Sequence, residues 1–253
     1  MTDSSGSLQQ LRAELNAAWA IAKKDIAIYY LKPNIIVSGA LFPLFMFLAF
    51  AVGRPAAPGA MIPGLIAITI LFSASSIEPV SIPIERRMKT FDRLVSAPVS
   101  LHAVVLGESL SGFLYSAGIA LVPLAAGIVI FGSAVADVLL LVTGILLTSF
   151  CFATMGTLFA AYPTESPGDI MSMLNLVRLP LIFISGVFIP LESIPSAGQD
   201  LVYISPLTYG NDLIQASYQG NTHFSPLADI AMLLVFILIF QIVANRLYRK
   251  FNE

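Results

Sequence analysis

Residues 137–161 read DVLLLVTGILLTSFCFATMGTLFAA, with one charge, Asp137, at the leading edge. A helix crossing the hydrocarbon core of a bilayer needs about 20 mostly apolar residues. No water is available there to the backbone, so such a segment must close its hydrogen bonds within itself as a helix. Membrane barrels show alternating segments of about ten residues, and none is present. The same reading applies at 34–52 (NIIVSGALFPLFMFLAFAV), 61–80, 103–131, 170–189 and 228–247. The expected fold is an all-α integral membrane protein, one transmembrane domain over 1–253 with six spans. Pro43, Pro123 and Pro180 fall inside spans, where neighbouring helices re-satisfy the freed carbonyl, and mark expected kinks. The 253 residues are 57% hydrophobic and 11% charged, against about 25% charged in soluble domains.

Lys and Arg set the orientation. Of 13 basic residues, 11 lie before the first span (Arg12, Lys23, Lys24, Lys32), between the second and third (Arg86, Arg87, Lys89, Arg93) and after the sixth (Arg246, Arg249, Lys250). The segment 190–227 has neither Lys nor Arg. The positive-inside rule puts both termini in the cytoplasm of a multi-pass inner or plasma membrane protein. The N-terminus lacks the apolar core of a signal peptide, so the spans themselves carry the targeting.

Three parts outside the spans carry information. Residues 8–31 place Leu8, Leu11, Leu15, Ala18, Ala22, Ile26 and Tyr29 at helical spacing, which predicts an amphipathic interfacial helix, either an anchor or a docking element. Residues 84–95 read as a second amphipathic helix, with Ile84, Met88, Phe91 and Leu94 on one face, Pro83 at the start and Pro98 beyond the end. A basic loop that only enforces topology or binds anionic lipid is the alternative. Residues 190–227 are moderately apolar and broken by Pro and Gly. They read as a re-entrant segment on the outer side or as a surface loop with interfacial tyrosines.

Chemistry is sparse. No GxxxxGK[ST] loop occurs, so an ATP-driven protein of this kind must borrow its ATPase. His102 and His223 fall on opposite sides and cannot share a metal, and neither can serve Ser185 as a protease base. The lone Cys151 excludes an internal disulfide. Within the spans, Glu78 and Arg178, the latter beside Asn175, are the ionisable residues read as notable. An Arg there costs about 2.5–3.5 kcal/mol on insertion scales, so it faces the bundle, with Glu78 as partner, or snorkels to the interface. Asp137, Glu165 and Asp169 sit at helix ends, and this lack of midplane acids argues against ion coupling.

The stretch ERRMKTFDRLVSAPVSLHAVVLGESL (85–110), together with FISGVFIPLESIPSAGQDLVYISPLTYGNDLIQAS (183–217), resembles the membrane subunit of ABC type-2 exporters over nearly the whole chain. Phe91 departs from the small or acidic residue that many relatives carry after the Thr. The resemblance implies that residues 8–31 are a connecting helix, 84–95 a coupling helix and 190–227 an external re-entrant segment. It implies that two permease copies form the pathway for an amphipathic drug, lipid or lipid-linked glycan. Two copies of a separate ABC ATPase subunit would dock beneath, holding ATP and Mg. This chain would then carry no cofactor and no catalysis of its own, and no nucleic acid partner. Glu85, Arg86, Arg87, Lys89, Phe91, Arg93 and Leu94 are the expected coupling residues. Glu78, Asn175 and Arg178 are the expected pathway residues. An ion-gradient-driven secondary transporter is the rival reading.

Overall fold

A computed structural model describes residues 4–30, 41, 44–45, 61–189, 191–193, 200–220 and 222–252. Helix α1 (Ser4–Asp25) runs into a π-helical turn, Ile26–Tyr30. Then follow α2 (Ile62–Ala74), α3 (Glu78–Arg87), the short α4 (Thr90–Val95), α5 (Leu101–Phe131), α6 (Val138–Ala160), α7 (Pro167–Ile184), α8 (Pro206–Gln219) and α9 (Pro226–Asn252). The described residues are all-α, and five stretches are long and apolar enough to cross a membrane: 62–87, 101–131, 138–160, 167–184 and 226–251. The expected span at 34–52, with Pro43, lies outside the described residues apart from 41, 44 and 45.

Helix ends follow local chemistry. The Ser100 hydroxyl caps α5 by accepting from the Ala103 N–H at 3.1 Å, and Asp137 caps α6 through the Leu140 N–H at 2.9 Å. Gly132 (φ +62°) and Gly220 (φ +69°) end α5 and α8 in the left-handed conformation that costs glycine least. Pro123 and Pro180 lie inside helices that continue past them.

Three expected elements are redrawn. The span read as 61–80 is interrupted at residues 75–77 and resumes as α3, which passes through Pro83. The reason is a serine run: Ser73 donates to the Thr69 carbonyl at 2.6 Å and Ser75 to that of Leu71, competing for the ladder acceptors. The helix expected over 84–95 is in fact two, parted at Met88 and Lys89. Lys89 has φ +58°, the one positive-φ residue besides glycines among the described residues. Thr90 stabilises the break by donating its hydroxyl to the Glu85 carbonyl at 3.2 Å. Similarly, α7 ends at Ile184, before the expected 189, because Gly186 takes φ +78°.

The core forms around α2, which is buried nearly all round by Ile62, Ile66, Ile70 and Leu71. Phe152 of α6, Leu174 and Ile182 of α7, and Leu207 and Ile214 of α8 complete it. By contrast α9 keeps Leu234, Leu238 and Ile242 exposed, one side in and one side out, as a lipid-facing helix requires. Helix α8 packs into the bundle instead of lying over it: a Cβ at Gly144 would meet Leu213 and Ile214, and one at Gly210 would strike Thr148.

The candidate coupling junction

The three basic segments meet at one end of the bundle. From α1, the Lys24 ammonium reaches Glu85 of α3 at 2.7 Å and Asp25 at 2.9 Å. Tyr29 adds its hydroxyl to Glu85 at 3.3 Å. Arg86 turns the other way, donating to the carbonyls of Tyr162 and, at 3.4 Å, Ala161. Its guanidinium lies over the rings of Phe91 (5.3 Å) and Tyr248 (6.0 Å), a cation–π stack that ties α3, α4 and α9 together. Phe91 is fully buried against Tyr248. Lys89 lies 3.9 Å from Glu165 in the loop after α6. That pair is exposed on both sides and contributes little energy.

The seven residues expected at the coupling segment thus divide. Glu85 and Phe91 are buried, Arg86 and Leu94 are half-buried, and Arg87, Lys89 and Arg93 are exposed. The break at Lys89 causes this division. It rotates α4 so that Phe91 turns inward, while Met88, expected on the same face, stays 64% exposed. Beside the exposed rim is a cavity of about 200 Å³ lined by Arg86, Lys89, Asp92, Thr164, Glu165 and Phe251.

The other three expected residues surround the break at 75–77. Arg178 of α7 is wholly buried, so of the two alternatives it faces the bundle. It donates through Nε to the Ser75 hydroxyl and through a terminal nitrogen to that of Ser76, both at 3.0 Å, and lies 5.4 Å above the Phe72 ring. Its contact with Asn175, on an exposed face of the same helix, is marginal at 3.5 Å. Glu78 is buried against two glycines: a Cβ at Gly112 would strike Oε1, and one at Gly156 would lie 2.9 Å from Oε2. Neither of its carboxyl oxygens has a hydrogen-bond partner. No ion pair forms between Glu78 and Arg178, although each lies in the other's field.

Sequence reasoning missed two acids within the expected spans and a third outside them. Glu108, inside the expected span 103–131, is 1% exposed in α5, and Asp229, at the start of α9, is wholly buried. The absence of intramembrane acids beyond Glu78 is therefore corrected. The signal was present in the run Leu106–Leu110, where a carboxylate interrupts an otherwise apolar and small-residue segment. Asp25 is missed for another reason: it looks like one more charge on an amphipathic helix, and only docking of α1 buries it.

Comparison with known proteins places these features in one framework. The chain matches the family model described as ABC-2 type transporter over residues 16–218, a range that takes in α3, α4 and all but the last residue of α8. The inner membrane transport permease YadH of Escherichia coli (strain K12) is 22% identical over 190 residues, covering 75% of this chain and 74% of that protein. Nodulation protein J of Rhizobium leguminosarum bv. trifolii is 26% identical over 166 residues, covering 64% and 62%. Its counterpart in bv. viciae is 27% identical over 106 residues, covering 42% and 40%.

Proposed function

The chain belongs to the ABC-2 type transporter family, as a non-catalytic membrane permease component of an ABC-type transport system, and we propose that two copies form an exporter driven by a separate ATPase. The observation that carries this reading is the division of the α3–α4 segment. Its outer rim, Arg87, Lys89 and Arg93, is basic and exposed, while Glu85, Arg86 and Phe91 tie it inward. A partner pressing on the rim moves α1 through the Glu85–Lys24 pair and α9 through Phe91 and Tyr248. It also moves α3, whose far end is the break that Arg178 pins from α7. ATP-driven motion thus has a mechanical route to α2 and α7, where Glu78, Asn175 and Arg178 would border the pathway. The exposed apolar face of α7, Met173, Leu176, Leu179 and Phe183, suits contact with a second copy or with lipid.

Both termini belong in the cytoplasm on this reading. The meeting of all three basic segments at one end of the bundle supports it. Helix α8 then lies on the outer side as a re-entrant element. Its contacts at Gly144 and Thr148 fall about 9 to 15 Å along α6 from that helix's outer end, at 1.5 Å per residue. The cargo is an amphipathic drug, lipid or lipid-linked glycan. Buried Glu78 and Glu108 favour the rival, an ion-gradient-driven carrier, and family membership favours ATP.

The test is purification of the tagged protein from its native membrane in mild detergent, with mass spectrometry of what accompanies it. An ATPase subunit bearing its own phosphate loop accompanies wild type and is lost on combined Arg87→Glu, Lys89→Glu and Arg93→Glu substitution. Retention of the ATPase by that variant overturns the rim as the docking surface. Transport that follows an imposed proton gradient without any ATPase overturns the exporter.

A further inference from the structure

Where α1 seats on α5, three carboxyl groups are buried around one cation. Asp25 is 1% exposed, Glu108 1% and Glu85 4%, and Lys24 is the lone ammonium among them. Tyr29 donates to Glu85, while Tyr30 engages Ser111 of α5 at 2.9 Å. The remaining groups that act on the cluster are Glu78 from α3, with Arg178 of α7 behind it, and Tyr248 of α9 under the Arg86 guanidinium. Glu85 is satisfied by Lys24 and Tyr29. Asp25 and Glu108 are not: their carboxyls are within hydrogen-bonding reach of each other. Neither Asp25 oxygen nor Glu108 Oε1 receives a donor hydrogen bond, Asp25 having only its ion pair to Lys24. Two carboxylates only accept, so a bond between them exists only when one carries a proton. Like charges this close and this dry do not both ionise freely.

We propose that Asp25 and Glu108 form a proton-binding latch that fastens α1 to α5, so that the seat of α1 tightens when this end of the protein is acidified. This adds a regulatory site that neither the family assignment nor the exporter reading contains, and it depends on neither. The geometry suits a latch. The α1 face that carries Asp25 packs through Ala18, Ile21 and Ala22, and a Cβ at Gly107 of α5 would lie 2.8 Å from the Ala18 carbonyl. The interface is therefore close-fitting, and a second uncompensated charge within it has no room for water. Beyond the seat, Leu11, Leu15 and Trp19 stay exposed, so α1 is held to the bundle chiefly at this end.

Asp25 sets the sign. Its carboxyl is pushed up to about 6 by burial, with Lys24 and the hydrogen bond to Glu108 opposing that and the Glu85 charge adding to it. With α1 unseated it titrates near the ordinary 3.8. Seating therefore takes up a proton. Its contribution to the seat is full below about 4 and is lost as pH rises through about 6. A carboxyl that titrates near 3.8 unseated and near about 6 seated changes the seating equilibrium on the order of a hundredfold across that window.

The test is hydrogen exchange of the purified full-length chain in lipid nanodiscs at pH 5 and pH 7.5, corrected for intrinsic rates. It follows the peptide covering Ala18–Asp25, with a peptide from α6 as internal reference. Wild type shows about tenfold greater protection of the α1 peptide at pH 5, with α6 unchanged. Asp25→Asn keeps high protection at both pH values, because its side chain is permanently neutral. Glu108→Gln supplies an N–H donor without a proton and flattens the pH dependence, which keeps the test decisive if Asp25→Asn fails to fold. Equal protection at both pH values in wild type, an undiminished pH dependence in either variant, or an equal change in α6 overturns the latch.

Discussion

Gly107 is the residue through which α1 meets α5, and replacing it with alanine isolates the energetics of that contact. A Cβ there would lie 2.8 Å from the Ala18 carbonyl oxygen, 2.9 Å from Ile21 Cβ and 3.1 Å from Ala18 Cα. Comfortable contacts between non-bonded carbons are about 3.5–4.0 Å. None of the three atoms ends a flexible side chain, so α1 must retreat as a body by about 0.5–1 Å. Overpacking of this kind costs about 1–3 kcal/mol. The better helix propensity of alanine does not offset this, because α5 is helical whether or not α1 is seated. The seat of α1 therefore weakens by about 1–3 kcal/mol, which is a factor of roughly 5–150 in its opening. Trypsin reads that opening at Lys23 and Lys24, since cleavage of a transiently opened segment follows the open population when reclosing is fast. Cleavage there accelerates by the same factor in Gly107→Ala. The control is on the same helix: a Cβ at Gly118 meets nothing within 4 Å, so Gly118→Ala leaves cleavage unchanged. Cleavage of Gly107→Ala at the wild-type rate, or equal acceleration in Gly118→Ala, refutes close packing as the determinant of the seat.

Two further outcomes are expected. Arg178→Met removes the bonds to Ser75 and Ser76 but also a charge buried without an ion-pair partner; such exchanges are often neutral or stabilising. The melting temperature in detergent therefore holds or rises, while export falls at least tenfold; a fall in stability with export intact would assign Arg178 a purely structural role. The Asp212 carboxylate accepts the N–H groups of His223 at 3.0 Å and Phe224 at 2.8 Å, one on each oxygen. Asp212→Asn keeps one acceptor and sets an amide N–H against the other donor, costing about 1–3 kcal/mol. A melting temperature lowered by about 2–4 °C per kcal/mol reports it, and an unchanged value means those turns are held by something else.

What could be read from the residues alone is what depends on solvent and on pattern. Long apolar runs must be helices because lipid offers the backbone no partner, so residues 103–131 and 137–161 were legible within two residues of α5 and α6. The clustering of Lys and Arg foretold that α1, the α3–α4 segment and the end of α9 share one face. The amphipathic character of the segment that holds the seven expected coupling residues was legible from its spacing. Their division was not. It turns on the left-handed conformation of Lys89, which no glycine announces, and which sends Phe91 inward and leaves Met88 outside. Nor does sequence distance show that Lys24 meets Glu85, or that the glycines at 112 and 156 vacate the space around Glu78. The burial of Asp25 and Glu108 is likewise a property of two helices in contact and of neither alone. Composition and periodicity decide where each helix lies relative to water and lipid. Which charges face one another inside is decided by packing, because the dielectric and the partners of a buried group come from elements distant in the chain.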